Sequence, residues 1–142
     1  MKRRARPSKV FLSHSDRDRA FASWLAGVLR QDDVPVWYSV THLVGAQQWH
    51  AEISAALRSC DWFLVVLTPA AVESMWVERE LTYALSDRRY RGRIIPVLLK
   101  PCRHEQLSWT LGGFQFVDFT ADRKAGLADL LRIWRIRSPN SS

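Results

Sequence analysis

The sequence predicts an α/β fold: a doubly wound sheet of five parallel strands with helices on both faces. Three observations predict it. Short apolar runs of strand length alternate with segments whose apolar residues recur at helical spacing. The strongest run, "WFLVVL" at 62–67, is apolar at every position, as in strands covered on both faces. Strand–helix alternation also calls for parallel neighbours joined by crossover helices.

The elements follow in order. "KVFLS" (9–13) is a buried strand that feeds the polar loop "HSDRD". From Arg19 the period changes, and Phe21, Trp24, Leu25, Val28 and Leu29 share one helical face. "VPVWYS" (34–39) is the second strand, and "VTHLVGAQ" is a loop broken at Gly45. Trp49, Ile53, Ala56 and Leu57 mark a helix ending near Cys60, with Trp37 and Trp49 read as core or loop-packing rings. "DWFLVVLTP" (61–69) is the third strand, stopped by Pro69, and a helix is expected from about Ala70 to Tyr90. "RIIPVLLKP" (93–101) is the fourth strand, with Pro96 a weak point. "FQFVDF" (114–119) is the fifth, and "DRKAGLADLLRIWRI" closes the chain as an amphipathic helix.

The chain's 142 residues suit one domain with a real core. No apolar run reaches the roughly 20 residues of a membrane span, and "MKRRARPSK" lacks the apolar stretch of a secretory signal. Cys60 and Cys102 form no C-x-x-C pair, so neither a disulfide framework nor a zinc site is expected, and a cytoplasmic setting fits. The net charge of +7 is concentrated in two places, residues 2–9 and Arg88, Arg89, Arg91 and Arg93. These read as a solvated tail and a basic helix C-terminus complementing its dipole. An anionic partner, such as a dinucleotide pyrophosphate or nucleic acid, is the alternative reading. No nucleic-acid module lies between the patches, so nucleic acid and membrane are not expected as partners. The expected organisation is a basic tail over 1–8, one domain over 9–137, and a linker-like "SPNSS" end over 138–142 that leaves room for a further domain.

In doubly wound sheets ligands collect outside the carboxyl ends of the strands, at the switch point. Those ends carry "SHSDRD", "SVTHLVG" and "TPAAVESMW". They contain no phosphate-binding G-x-x-x-x-G-K-[ST], no G-x-G-x-x-G, no receiver aspartate and no G-x-S-x-G elbow. The four histidines have no metal-ligand spacing, so no metal is expected. The surviving polar candidates are Ser13, His14, Ser15, Asp16, Arg17, Ser39 and Glu80.

The order of these motifs resembles a Toll/interleukin-1 receptor (TIR) domain over residues 9 to about 135. "KVFLSHSDRDRAFASWL" resembles the family's first box, "VPVWYSVTHLVGAQQWHAEISAAL" its second strand, BB loop and following helix, and "SCDWFLVVLTPAAVESMWVERELTYAL" its third strand and helix. "GRIIPVLLK" and "FQFVDF" resemble the last two strands. The resemblance implies a flavodoxin-like sheet. It is closest to the NAD+-cleaving, bacterial-type members, which carry W-x-x-x-E on the third helix, matched here by Trp76 and Glu80. It therefore implies an NAD+ glycohydrolase yielding nicotinamide and ADP-ribose, or a cyclic variant, within a defence or signalling protein. NAD+ is then the substrate and no cofactor is needed.

On that reading Glu80 is catalytic. Trp76 stacks on the leaving group or excludes water, and the loop residues Ser13, His14, Ser15 and Arg17 face the ribose or phosphates. Ser39 stands where many members have aspartate, which weakens any role at that position. Leu43, Val44 and Gly45 belong to the loop through which active members self-associate, and a C-terminal sensor would drive that clustering. The family also contains pure interaction modules, so a non-catalytic adaptor is the competing expectation.

The helical wheel leaves one ambiguity. Val77, Leu81, Ala84 and Leu85 form the apolar stripe, and Glu78 and Glu80 lie at its opposite edges. Glu80 shares its side with Trp76 and Tyr83, whereas Glu78 is flanked by Arg79 and Thr82. A glutamate that merely complements the helix dipole is the simpler alternative for Glu80.

Overall fold

The computed structural model describes residues 6–39 and 46–137, with the backbone alone for 46–50. In chain order the elements are β1 (Val10–Ser13), α1 (Arg19–Gln31), β2 (Val36–Tyr38), α2 (Ala46–Ser59), β3 (Trp62–Leu67), α3 (Pro69–Val72), α4 (Met75–Ser86), β4 (Ile94–Leu98), β5 (Val117–Asp118) and α5 (Arg123–Ile133). The strands form one sheet in the order β2-β1-β3-β4-β5, and every ladder is parallel. This is the flavodoxin-like winding, which reverses between β1 and β3.

Alternation along each strand divides the core in two. Val10, Leu12, Leu64 and Val66 point to one face, where Phe21, Leu25 and Leu29 of α1 and Leu130 and Leu131 of α5 cover them. Phe11, Phe63, Val65 and Leu67 point to the other, beneath Ile53 and Leu57 of α2 and Val77, Leu81 and Ala84 of α4. Each such apolar side chain stabilises the fold by about 1.5–3 kcal/mol on burial. The helices that leave β1 and β3 therefore lie on opposite faces, and a crevice opens between the ends of those two strands.

The helix expected over 70–90 is two helices and a turn. Pro69 does not only stop β3; it opens α3, where its missing N–H costs nothing, and the Thr68 side chain accepts from the Ala71 N–H at 3.0 Å. Ser74 then starts α4 by accepting from the Val77 N–H at 3.2 Å. Asp87 ends it by accepting from the Arg89 N–H at 2.9 Å, which sets up a 3-10 turn over Arg88–Tyr90. The cap residues override an apolar period that runs on through the breaks.

Three further expectations are corrected. The fifth strand shrinks to Val117–Asp118, because residues 109–113 form a 3-10 turn and the Asp118 carboxyl accepts from both the N–H and the hydroxyl of Thr120. Within the basic cluster Arg89 does serve a helix dipole, but not that of its own helix. Arg89 donates to the carbonyls of Leu57 and Arg58 at the end of α2, as Arg6 does to Asp32 just past α1. Pro96 proves harmless inside β4. Leu98 bonds towards β5 and Leu99 towards β3, so position 96 faces the β5 side, where pairing begins only at Val97.

Gly126 lets α5 approach the sheet closely. A Cβ there would sit 2.6 Å from the Phe119 ring. Gly126→Ala is therefore expected to destabilise by about 1–3 kcal/mol through overpacking, more than offsetting alanine's helix preference of up to about 1 kcal/mol. Phe119→Leu in the same chain should recover part of the loss. Urea denaturation measures this, and an unchanged midpoint for Gly126→Ala would mean that Phe119 has room to turn aside.

Candidate active site

At the crevice two hydroxyls reach across to two acids. Ser13, the last residue of β1, donates to Glu80 Oε1 on α4 at 2.7 Å. Thr68, the residue after β3, donates to Asp18 Oδ2 at the start of α1 at 2.6 Å. Both acids are buried, Glu80 at 4% and Asp18 at 7% exposure. Each bond joins elements on opposite sides of the switch point, so the pair closes the floor of the crevice.

The wheel's ambiguity is resolved here. Glu80 is buried beside Val77, Leu81 and Ala84, while Glu78 is exposed. With Ser74 as the cap, the acid in the first turn of α4 is Glu78, and the dipole's influence fades beyond that turn. The dipole reading therefore belongs to Glu78. Burial pushes the Glu80 carboxyl up from 4.5 to about 8; the Ser13 hydrogen bond opposes the rise and the charge of Asp16 adds to it. Desolvation wins because one hydrogen bond replaces a full hydration shell.

The other predicted residues have different local settings. His14 is buried, with Nδ1 2.7 Å from the Ser15 carbonyl oxygen and Nε2 3.1 Å from that of Ser39, so it clips the end of β1 to the end of β2. The Ser15 hydroxyl accepts from the Arg17 N–H at 3.2 Å and starts the 3-10 turn Asp16–Asp18, while the Arg17 side chain is exposed. Ser39 is buried and meets His14 through its carbonyl. Trp76, four residues before Glu80, is half-buried against the α4-side core, and the Arg79 guanidinium stands 5.7 Å over its ring. Tyr83 is 36% exposed one turn further on. Trp37 packs on Phe11 at 4.9 Å, as a core ring should. Leu43, Val44 and Gly45 lie outside the described residues.

Asp18 and Thr68 were missed from sequence. The available signal was an aspartate just before an apolar helical period and a Thr-Pro pair just after a strand. Both read as punctuation rather than as partners. Among the described residues no group of three or more His, Cys, Asp or Glu is placed to hold a metal ion, and no helix is long and apolar enough to cross a membrane. Cys60 and Cys102 are both free thiols.

A family model described as "TIR domain" matches residues 10–131, and the chain belongs to that family. It is similar to the 2' cyclic ADP-D-ribose synthase BtTIR of Bacteroides thetaiotaomicron, 27% identical over 103 residues, or 70% of this chain and 36% of that protein. The chain thus spans little more than a third of the relative's length. Among solved structures it resembles the TIR domain of the Toll-related receptor TRR-2 from Hydra magnipapillata, with a TM-score of 0.71 at 19% identity, covering 89% of this chain and 97% of that one. It also resembles a prokaryotic SEFIR domain, with a TM-score of 0.62 at 15% identity and coverage of 95% and 99%. The TIR domains of the activated Roq1 resistosome align with a TM-score of 0.56 at 17% identity, covering 92% and 86%. At these identities the structural likeness concerns the fold.

Glu80 has a consequence for stability. Its folded pKa of about 8 lies above the ordinary 4.5, so the native state holds a proton that the unfolded chain has lost between those values. Its contribution is complete below about pH 4.5 and is lost as pH rises through about 8. Glu80→Gln removes that loss. It is expected to melt above the wild type at pH 8–9, by about 3–4 °C per kcal/mol recovered, with the gap closing towards pH 5. Thermal melts across this range decide it, and parallel curves would show that Glu80 does not titrate there.

Proposed function

We propose that this domain cleaves the nicotinamide–ribose bond of NAD+, with Glu80 as the catalytic carboxylate. The observation that supports this best is the buried Glu80, held by Ser13 at the switch point with its ionisation shifted to about 8. In the empty crevice the acid is close to neutral and cheap to bury. A pyridinium about 4 Å away contributes roughly 4 kcal/mol at the effective dielectric of protein sites. That is about three pKa units, comparable with the whole rise. The cationic substrate therefore brings out the charge that the reaction needs.

The bond between ribose C1' and the pyridinium nitrogen breaks, its electron pair returns to the ring, and nicotinamide leaves neutral. No general acid is required. Positive charge passes to the ribosyl centre, where the Glu80 carboxylate stabilises it electrostatically. Water, or a hydroxyl of the same nucleotide, then attacks C1' and loses a proton, giving linear or cyclised ADP-ribose. The relative named as a cyclic ADP-ribose synthase supports this class of product. Ser13, which spends its hydroxyl on Glu80, acts on the acid rather than on the sugar. Arg17 is the exposed cation of the loop and suits the phosphates. NAD+ is the only small molecule the chemistry requires.

Glu80→Gln is expected to lower turnover at least ~100-fold, while Glu78→Gln leaves it near wild type. Because the ionised acid is needed, kcat/KM should rise with pH to a midpoint near 8, and kcat to a lower midpoint once the cation is bound. Product separation by chromatography gives both. Equal behaviour of the two variants, or a flat kcat/KM between pH 6 and 9, would remove Glu80 from the chemistry.

The resemblance of the "SVTHLVGAQQ" loop further supports activation by self-association, in which Leu43 and Val44 are buried against a neighbouring copy. Activity per molecule should then increase with protein concentration, and Leu43→Asp should abolish the increase without unfolding the domain. Specific activity that stays constant from nanomolar to high micromolar protein would instead favour a self-sufficient monomer.

A further inference from the structure

Asp18 occupies the capping position of α1, yet its carboxyl makes no capping bond. It turns across the crevice to Thr68, 50 residues away, so a stabilising local contact is given up for a distant one. The Thr68 hydroxyl oxygen also accepts from the Ala71 N–H and so fixes the first turn of α3. From there the chain passes directly to α4: the Ser74 N–H donates to the Ala71 carbonyl at 3.0 Å, and the Ser74 hydroxyl caps the helix that carries Trp76 and Glu80. On the other side, the Asp18 N–H donates to the Ser15 carbonyl at 2.9 Å and closes the loop on itself. One hydroxyl thus joins the end of the 14–17 loop to the segment that sets where α4 begins.

We infer that Asp18 and Thr68 are a positioning pair, which holds the 14–17 loop and Arg17 at a fixed place opposite α4 so that substrate meets a preformed site. Neither is a catalytic residue, because both are buried and their side chains bond to each other. The kinetic consequence rests on the reading of this crevice as an NAD+ site; the ordering of the loop does not.

Two variants separate positioning from plain structural support. Thr68→Val keeps the shape but removes the hydroxyl, and Thr68→Ser restores it. Asp18→Ser is too short to reach Thr68 but is itself a good helix cap, so α1 stays supported while the tie is cut. In both Thr68→Val and Asp18→Ser, amide exchange over 14–19 should quicken about 10-fold, the scale of one buried hydrogen bond, with β3 and α5 unchanged. KM for NAD+ should rise by a similar factor, kcat and the pH midpoint of kcat/KM should hold, and Thr68→Ser should match the wild type throughout. Unchanged loop protection in the two cut variants overturns the inference, as does a fall in kcat at constant KM. If Thr68→Val fails to fold, Asp18→Ser carries the decision. A wild-type chain that leaves NAD+ intact would sink the functional reading, and the exchange comparison would still decide the tie.

Discussion

The hydrogen bond from Ser13 to Glu80 lies where the winding of the sheet reverses, and the geometry of the crevice depends on it. The reversal sends α1 to one face and α4 to the other, which leaves the ends of β1 and β3 with no helix packed between them. Backbone pairing joins β1 to β3 as far as Ser13 and Val65, and beyond that point side chains tie the two halves together. Ser13 reaches from β1 to α4, and Thr68 reaches from β3 to the start of α1. Loss of either hydroxyl would leave a carboxyl with one buried partner fewer, an expensive change in a low-dielectric setting. The contacts that define the site are thus also what closes the fold at its open end.

That closure carries an energetic tension. Glu80 sits where burial disfavours its charge, and the neighbouring Asp16 disfavours it further. Asp18 likewise gives up a helix cap, typically worth about 1 kcal/mol. Two departures from local optimality thus fall together at one crevice, a pattern that supports the functional reading proposed for it. The surplus comes from the two-sided core, where β3 alone buries six consecutive apolar residues.

The sheet was legible because its strands are unambiguous. "WFLVVL" reads as a doubly covered strand, and the alternation of strands with helices implies parallel pairing. The division of 70–90 was written in Thr68, Ser74 and Asp87, but the apolar period runs across the breaks and masked them. The helical wheel alone left two acids flanking the same stripe, and it was the rings of Trp76 and Tyr83 beside Glu80, with the W-x-x-x-E resemblance, that singled out Glu80. What separates them in the fold is Ser13, 67 residues away, and that contact exists only once β1 and β3 are neighbours. Asp18 and Thr68 were hidden for the same reason. Arg89 was read against its own helix, although the carbonyls it serves belong to α2.

Ser13 and His14 are consecutive, and they divide the labour at the end of β1. Ser13 holds the acid, and His14 holds the carbonyl of Ser39, the point from which the chain departs towards 40–45. The spacing between Glu80 and that departure point is therefore set by one dipeptide, anchored in a strand whose residues are all buried. A neighbouring copy that engages the loop, as proposed, would act on the chain that leaves Ser39, whose carbonyl lies 3.1 Å from the ring of the residue next to Ser13. No long relay through the core is needed. The Arg79 guanidinium stands 5.7 Å from the Trp76 ring, one turn before Glu80 on α4, and adds to the packing of that ring against the core. An incoming planar cation would compete with Arg79 for that ring face. On the proposed reading, a cationic ring would gain from both the Glu80 carboxyl and the Trp76 ring, and a neutral ring of the same shape would gain much less from either.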